Sequence, residues 1–296
     1  ATTALHHIDR DGTQQVQFYA KNMDIYIKRR LLIENRLRCA LLKDQLKLHY
    51  QPQINAISRT ICGIEALIRW QDSELGEVSP SEFIPIAEKC GLIIEIGEWV
   101  LKTACLQRQI WLQQGIKDFP IAVNVSAQQI KQQTIVELVN KTLIETQLPA
   151  RYLELEITEN CVLEFPDSLI TMLCKLKNSG IKLSIDDFGT GYSNLNYLTK
   201  MPLSHLKIDR SFITNIATED NAITIPYAII DLAFNLGLSV IAEGVETKDQ
   251  LDKLLKKGCT HIQGYYFFKP MSEQSCTKLL LAYKKTNFKL QDKLKL

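Results

Sequence analysis

Residues 182–193 of the chain read KLSIDDFGTGYS, a short apolar strand that ends in two adjacent carboxylates. Leu183 and Ile185 alternate with polar residues, which predicts a buried strand. The glycines after Asp186 and Asp187 allow backbone angles that other residues avoid. Because successive strand residues point to opposite faces, both carboxylates can reach one site only if the backbone bends here. Taken alone, the stretch favours a solvated turn over a metal site, since Asp and Gly are common turn residues.

Strand patterns and helix patterns alternate on both sides of this stretch. From residue 46 onward, about eight strands alternate with helices over about 240 residues, which predicts an α/β fold with a parallel sheet. Units of this number and length favour a closed (β/α)8 barrel of the TIM type over an open sheet. Neither G-x-G-x-x-G nor G-x-x-x-x-G-K occurs in the sequence, which argues against dinucleotide-binding and P-loop folds.

Polar residues recur inside these strands or at their C-terminal ends. They are Glu65, Asn124, Glu156, Asp186, Asp187, Lys207, Glu243 and Gln263. A barrel gathers the C-terminal ends of its strands at one mouth, where barrel enzymes carry their active sites. Crowded carboxylates repel one another and would take up protons unless cations neutralise them. An all-oxygen ligand set suits Mg²⁺ or Mn²⁺ better than Zn²⁺, so the set predicts a site for these ions.

The number of carboxylates exceeds what one divalent ion needs, which suggests two ions. A two-metal site is suited to in-line cleavage of a phosphodiester. Lys207 could act as a base with a lowered pKa, or it could simply offset charge. Structural interpretations of single residues are also open. Glu65 could pair with Arg69, Lys207 could be a strand lysine facing solvent, and Asn124 could cap a helix.

Composition places few other limits on function. The 296 residues are 46% hydrophobic with a formal net charge of +2, which allows a large core and gives no electrostatic argument for a nucleic acid polymer or an acidic membrane. The eight cysteines show no C-x-x-C pair and indicate small buried residues in a reducing compartment. His49, His205 and His261 lie in strand patterns, where we expect packed or hydrogen-bonded side chains rather than metal ligands.

At Glu65-Ala66-Leu67 the chain resembles the EAL family of cyclic di-GMP phosphodiesterases, and the similarity extends from Leu37 to Ser272. The further motifs that carry it are Tyr50-Gln51-Pro52, Asn124-Val125-Ser126, Glu156-Ile157-Thr158-Glu159, Asp186-Asp187-Phe188-Gly189-Thr190-Gly191, Lys207-Ile208-Asp209, Ala242-Glu243-Gly244-Val245-Glu246-Thr247 and Gln263-Gly264-Tyr265. Each motif is short, but their ordered set is highly specific. The resemblance implies the EAL variant of the TIM-like barrel.

The resemblance also implies roles for single residues. The implied metal ligands are Glu65, Asn124, Glu156, Asp186, Asp187 and Glu243. The implied catalytic residues are Glu65, Lys207, Glu243, Gln263 and Glu159. The implied substrate contacts are Gln51, Leu67, Arg69, Asp209 and Glu246. Among these, Asp187 would hold or bridge to the second ion, and Gln263 would help to position the attacking water. Glu159 would steady the loop of residues 188–193.

The activity that the resemblance implies is hydrolysis of one phosphodiester bond of cyclic di-GMP, giving linear pGpG, with two Mg²⁺ or Mn²⁺ ions. Ca²⁺, which is larger and looser in geometry, is expected to bind and inhibit. No catalytic position is lost, and the loop after Asp187 is intact, with only Asn194 at a position where a second serine is common in the family. One alternative is a cyclic di-GMP receptor with low catalysis. Another is a different barrel hydrolase, such as a glycerophosphodiesterase, which relies on active-site histidines.

The ends of the chain suggest a larger protein. Residues 12–19 resemble the last strand of a GGDEF (diguanylate cyclase) domain. We therefore expect residues 1–36 to be the tail of such a domain with a linker helix, 37–285 the EAL barrel, and 286–296 a basic tail. The resemblance further implies a homodimer through helices next to residues 186–193. We expect a cytoplasmic domain that makes no membrane contact itself, although upstream regions could anchor the parent protein.

Overall fold

The computed structural model describes residues 21–116, 119–132, 134–159, 161, 166–191, 195–217, 220–286 and 290. It contains two compact units. One unit comprises the described residues up to Lys47 together with Arg69–Ile93, and the other comprises Leu48–Ile68 with the described residues from Ile94 onward. The strand predicted over residues 12–19 lies outside the described residues, so the proposed domain boundaries stay predictions.

The first unit pairs two helices with a small hairpin. Its elements are α1 (Lys21–Ala40), β3 (Gly76–Val78) and α2 (Pro80–Lys89), together with the outer parts of β1 (Leu46–Asn55) and β2 (Thr60–Asp72). The proline at the start of α2 is favoured there, because the N–H that it lacks would have no partner in the helix. Trp70 is fully buried and packs edge-on against Phe83, with ring centroids 5.6 Å apart.

A buried carboxylate joins α1 to the hairpin of the first unit. Asp72 Oδ1 accepts hydrogen bonds from Arg36 Nε over 2.7 Å and from the backbone N–H groups of Glu74 and Leu75 over 2.8 and 2.9 Å. Burial opposes the charged form, but the guanidinium and the two N–H groups outweigh it and lower the pKa of Asp72 to about 2. The ionised form of Asp72 therefore stabilises this unit.

The second unit contains a closed barrel. Its strands are β1, β2, β4 (Ile121–Val125), β5 (Leu153–Thr158), β6 (Lys182–Phe188), β7 (His205–Ile208), β8 (Ser239–Ala242) and β9 (His261–Ile262). These eight strands pair in that order, and the pairing of β1 with both β9 and β2 closes the ring. A short strand, β10 (Met271–Ser272), pairs antiparallel with β1. The predicted (β/α)8 barrel is therefore confirmed.

One strand differs from the simple alternation that the sequence predicts. Neighbouring strands are parallel from β2 to β9, whereas β1 is antiparallel to β9. Only residues 56–59 connect β1 to β2, and they form a turn. A connection this short cannot hold the helical crossover that parallel strands require. Because β1 is reversed, its first half lies at the end of the barrel where the parallel strands finish.

The helices of the second unit follow the strands in the expected order. They are α3 (Ile93–Gln113), α4 (Ala127–Lys131), α5 (Ile135–Thr146), α6 (Pro166–Asn178), α7 (Leu195–Leu198), α8 (Arg210–Thr214), α9 (Thr224–Asn235), α10 (Lys248–Lys256) and α11 (Glu273–Lys285). Two of these helices, α4 and α5, follow β4, and Ser126 caps α4 by accepting from the Gln129 N–H. Among the described residues, none of the helices combines the length and apolar character needed to cross a membrane.

The substitution Asp72→Asn is expected to destabilise the protein by about 1.5–3 kcal/mol near pH 7, because it removes the charged partner of Arg36. Since the folded pKa of Asp72 is about 2 against an ordinary value of 3.8, its contribution is present above about pH 4 and is lost as the pH falls toward 2. The variant should therefore lose less stability than the wild type over that range. Urea unfolding at several pH values measures both effects.

Glu74→Gln is the matched control. Glu74 also pairs with Arg36, over 2.7 Å, but its side chain is 71% exposed, so we expect a loss below about 1 kcal/mol. Equal losses of unfolding free energy in the Asp72 and Glu74 variants would contradict the view that the buried pair stabilises the protein more than the exposed one.

Candidate metal centre

A buried lysine gathers the carboxylates that the sequence analysis singled out. Lys207, the third residue of β7, is fully buried. Its Nζ lies 2.7 Å from Glu243 Oε1, 2.8 Å from Glu156 Oε2, 3.1 Å from Asp186 Oδ1 and 3.4 Å from Glu65 Oε2. These residues come from different strands or from the segment directly after a strand, so only the closed barrel brings them together. We call the five carboxylates the acidic cluster: Glu65, Glu156, Asp186, Asp187 and Glu243.

The acidic cluster keeps Lys207 charged. Burial opposes the ammonium form, but the four surrounding carboxylates outweigh it and raise the pKa of Lys207 well above its ordinary value. The interpretation of Lys207 as a solvent-facing strand lysine is therefore wrong. Of the two roles left open by the sequence, the arrangement favours charge compensation over a base with a lowered pKa.

One ammonium cannot neutralise the whole acidic cluster. Burial opposes ionisation of Glu65, but Lys207 and two neighbouring amides outweigh it and lower its pKa. Burial and the charge of Glu65 instead raise the pKa of Glu156 well above its ordinary value. Burial likewise raises the pKa of Glu243 to about 8 and, together with the charge of Asp186, that of Asp187 to about 6. The cluster therefore has a deficit of positive charge.

The donor atoms of the acidic cluster fit a hard divalent cation. Two groups of carboxylates, each with ligand atoms within 4.8 Å of one another, could hold an ion, and Asp186 belongs to both. The groups are Glu65 with Glu156 and Asp186, and Asp186 with Asp187 and Glu243. Buried Glu156 Oε1 has no hydrogen-bond partner in the described part of the chain, as expected for an oxygen reserved for a cation. All donors are oxygen atoms, which suits Mg²⁺ or Mn²⁺.

The backbone bends at Asp187, as the two adjacent carboxylates require. Asp187 itself has φ of +53°, a conformation that residues other than glycine rarely adopt. The register between β6 and β7 shifts between Ile185 and Phe188. The glycines of the sequence predict a bend at their own positions, whereas in the structure the bend begins at Asp187. This left-handed residue lets both carboxylates join one cluster, and strained residues of this kind concentrate at functional sites.

Amide groups hold both oxygens of Glu65. Asn124 Nδ2 donates to Glu65 Oε1 over 2.7 Å. Gln263 Nε2 donates to Glu65 Oε2 over 2.6 Å and to Gln51 Oε1 over 3.1 Å. Asn124 thus orients a carboxylate and does not cap α4, because Ser126 is the capping residue.

Gln53 completes this network and was missed by the sequence analysis. Its Nε2 donates to Gln263 Oε1 over 3.0 Å. The available signal was that Gln51 and Gln53 are two residues apart on β1 and therefore share one face of the strand.

Glu159 lies directly after β5 and holds the segment that follows β6. Its Oε2 accepts from the backbone N–H of Gly189 over 2.7 Å and from that of Gly191 over 3.4 Å. Gly189 has φ of +98°, and a Cβ there would lie 2.9 Å from the ring of Phe212, so this position requires glycine. Asn194 lies outside the described residues.

None of the five predicted substrate contacts belongs to the acidic cluster, although Gln51 is connected to it through Gln263. Leu67 and Arg69 lie two and four residues after Glu65 on β2. Asp209 follows β7 and caps α8 by accepting from the Ser211 N–H over 2.9 Å. The backbone N–H of Glu246 donates to Gln250 at the start of α10. These observations concern only the position of each residue in its own segment, so the substrate-binding roles stay predictions.

Two of the three strand histidines, His205 and His261, lie at the starts of their strands. They are the first residues of β7 and β9, whereas the cluster forms where parallel strands end. His205 Nδ1 lies 2.7 Å from Glu154 Oε1, so this histidine is hydrogen-bonded, as expected. The placement of His205 and His261 argues against a role for these two histidines in hydrolysis.

The sequence model of the EAL domain family matches residues 34–270. The chain belongs to the EAL domain family. The bifunctional diguanylate cyclase/cyclic di-GMP phosphodiesterase MucR of Pseudomonas aeruginosa is 41% identical over 271 residues, 92% of this EAL chain and 40% of MucR. The cyclic di-GMP phosphodiesterase NbdA of the same species is 39% identical over 284 residues, 96% of this chain and 36% of NbdA. The chain thus spans well under half the length of these relatives.

Solved EAL structures share the fold. A structure described as PaMucR phosphodiesterase in complex with c-di-GMP is 42% identical, has a TM-score of 0.81, and covers 83% of this chain and 99% of its own. A structure of the EAL enzyme Bd1971 bound to cAMP and cyclic-di-GMP is 33% identical, with a TM-score of 0.81, and covers 93% of this chain and 72% of its own.

The substitution Lys207→Met is expected to destabilise the EAL domain in EDTA by about 3–5 kcal/mol, because it leaves buried carboxylates without their counter-charge. Mn²⁺ should then raise the melting temperature of the variant by more than that of the wild type, since the ion replaces the lost positive charge. Differential scanning fluorimetry with EDTA and with Mn²⁺ measures both effects.

Lys47→Met, at an exposed position of β1, is the control and should leave both melting temperatures unchanged. An unchanged melting temperature of the Lys207 variant in EDTA would show that the ammonium does not stabilise the acidic cluster.

Proposed function

We propose that this EAL domain hydrolyses one phosphodiester bond of cyclic di-GMP to linear pGpG with Mg²⁺ or Mn²⁺ as cofactor. The observation that carries the proposal is the acidic cluster, in which two potential ion-binding groups share Asp186. The substrate is supported by the relatives MucR and NbdA, which are both described as cyclic di-GMP phosphodiesterases, and by the c-di-GMP complex of the MucR phosphodiesterase. Every position of the family's metal and catalytic pattern is present in the sequence.

The two groups of the acidic cluster suggest a place for each of two ions. Glu65, Glu156 and Asp186 would hold one ion, with the amide oxygen of Asn124 as a further ligand, and Asp186 with Asp187 and Glu243 would hold the other. Two such ions would stabilise the charge on the attacking and the leaving oxygen of an in-line displacement.

The chain's own residues keep this site assembled. Lys207 offsets the charge of four carboxylates and so allows their close approach. Gln263 and Asn124 orient Glu65 by donating to its two oxygens. Glu159 holds the segment after β6 through the N–H groups of Gly189 and Gly191, which keeps the neighbouring Asp187 in place.

The substrate contacts that the family resemblance implies are proposed to bind the dinucleotide. They are Gln51, Leu67, Arg69, Asp209 and Glu246. Of these, Arg69 would give a phosphate a charged donor, which binds more strongly than a neutral one.

We further propose that a second copy of the chain packs beside residues 186–193. Ile225 on α9 is 51% exposed, and Ile229 of the same helix lies against Gly189, which supports an apolar contact near this segment of the chain. Sedimentation velocity should give the mass of a dimer, and Ile225→Lys should shift it toward a monomer. A monomer at all concentrations would contradict this proposal.

The central test is incubation of the chain with cyclic di-GMP and Mn²⁺, followed by chromatographic separation of the nucleotides. We expect pGpG with Mn²⁺, none with EDTA, and little with Ca²⁺, which is larger and tolerates looser geometry. Unchanged cyclic di-GMP, with binding shown by calorimetry, would favour the receptor alternative. Neither turnover nor binding would contradict both functions.

The substitution Glu65→Gln should abolish this turnover, because it removes a charged ligand while preserving the shape of the side chain. Glu98→Gln, at an exposed position of α3, should leave turnover unchanged. Circular dichroism checks that both variants are folded. Full activity of the Glu65 variant would remove Glu65 from the proposed site.

A further inference from the structure

We propose that Gln53 is a positioning residue that fixes the amide orientation of Gln263 and, through it, the carboxylate of Glu65. Gln53 lies on β1, is 2% exposed, and donates from Nε2 to Gln263 Oε1 over 3.0 Å. Its catalytic consequence rests on the proposed function, in which Glu65 is a metal ligand. The hydrogen-bond chain itself does not depend on that function.

The carboxylate of Glu65 determines which group donates in each hydrogen bond of this series. An ionised carboxylate only accepts hydrogen bonds, so Gln263 must present its NH₂ group to Glu65 Oε2. That contact is 2.6 Å, and the same Nε2 donates to Gln51 Oε1 over 3.1 Å. Gln263 Oε1 therefore faces the other way, toward Gln53, and needs a donor there. Gln53 supplies it, which makes the reversed orientation of Gln263 unfavourable.

The hydrogen bonds of Gln51 are consistent with the same orientation of Gln263. Gln51 accepts from Gln263 through Oε1, so its Nε2 is directed elsewhere and donates to the backbone carbonyl of Phe268 over 2.9 Å. A carbonyl, like a carboxylate, only accepts. Each of the three side-chain amides can therefore satisfy these hydrogen bonds in only one of its two orientations. Because all three are buried, an amide turned the wrong way would leave unsatisfied polar groups, which is costly.

Gly63 provides the space that Gln53 occupies. It lies on β2, the neighbour of β1 in the barrel. A Cβ at Gly63 would lie 2.1 Å from Gln53 Oε1, so any other residue would displace the glutamine side chain. Gly63 on β2 thus leaves room for Gln53 on β1, and Gln53 places its NH₂ group against Gln263.

The test compares wild type with Gln53→Leu, which keeps the approximate size of the side chain and removes the donor. We expect Mn²⁺ affinity, measured by calorimetry, to fall by about 10-fold, the lower end of the effect of losing a residue that contacts a metal ligand, because Gln53 acts on Glu65 through Gln263. The kcat for cyclic di-GMP should fall with it. Gln53→Met replaces this variant if thermal unfolding shows that Gln53→Leu is not folded.

Gln107→Leu is the matched control, because Gln107 is also buried but lies on α3. It should keep both Mn²⁺ affinity and kcat. Retention of both quantities within twofold in Gln53→Leu would overturn the positioning role, as would an equal loss in the Gln107 variant.

Gln53→Glu separates orientation from packing. A protonated glutamate can donate to Gln263 Oε1, whereas an ionised one repels it. The kcat of this variant relative to wild type should therefore fall as the pH rises, while the ratio for Gln53→Leu should stay constant. A constant ratio for both variants would contradict the proposal.

Failure of the two proposals can be told apart. If the wild type binds Mn²⁺ but does not hydrolyse cyclic di-GMP, the proposed function fails, and the comparison of Mn²⁺ affinities still decides the role of Gln53. If the wild type does not bind Mn²⁺, both proposals are overturned.

Discussion

The structure depends on one buried ammonium group that lies among carboxylates. Lys207 Nζ is within 3.4 Å of four acidic side chains, and without it those groups could not approach one another in a medium of low dielectric constant. Even so, burial and the neighbouring carboxylates outweigh Lys207 and raise the pKa values of Glu156, Asp186 and Glu243, as expected where positive charge is deficient. The barrel thus supplies a cluster of carboxylates that could hold a metal ion in addition to the ammonium group of Lys207.

Around this charge, hydrogen bonds determine the direction in which each oxygen points. Both oxygens of Glu65 accept from amides, and the amide of Gln263 is itself held by glutamines of β1. This arrangement requires the reversed direction of β1. Because β1 is antiparallel to its neighbour β9, its side chains at Gln51 and Gln53 reach the residues that follow β9. The hairpin that breaks the strand–helix alternation therefore contributes directly to the site.

Backbone conformation supplies the remaining geometry. Asp187 adopts a left-handed conformation, which costs on the order of 1–3 kcal/mol for a residue other than glycine. The segment after it is held by Glu159 through two N–H groups. The strained backbone of Asp187 lies next to a segment held by hydrogen bonds. This arrangement is preorganised, so little further ordering would be needed for a cation to bind.

The sequence alone determined the barrel, the strands that carry polar residues, and the members of the acidic cluster, because hydrophobic periodicity and the family motifs are local in the chain. Only the tertiary structure decided the antiparallel direction of β1, the bend at Asp187 itself, and the role of Gln53. Periodicity reports which face of a strand is buried, but not which atom across the barrel that face contacts. The charged state of Lys207 likewise depends on carboxylates from four other segments, which only barrel closure brings together.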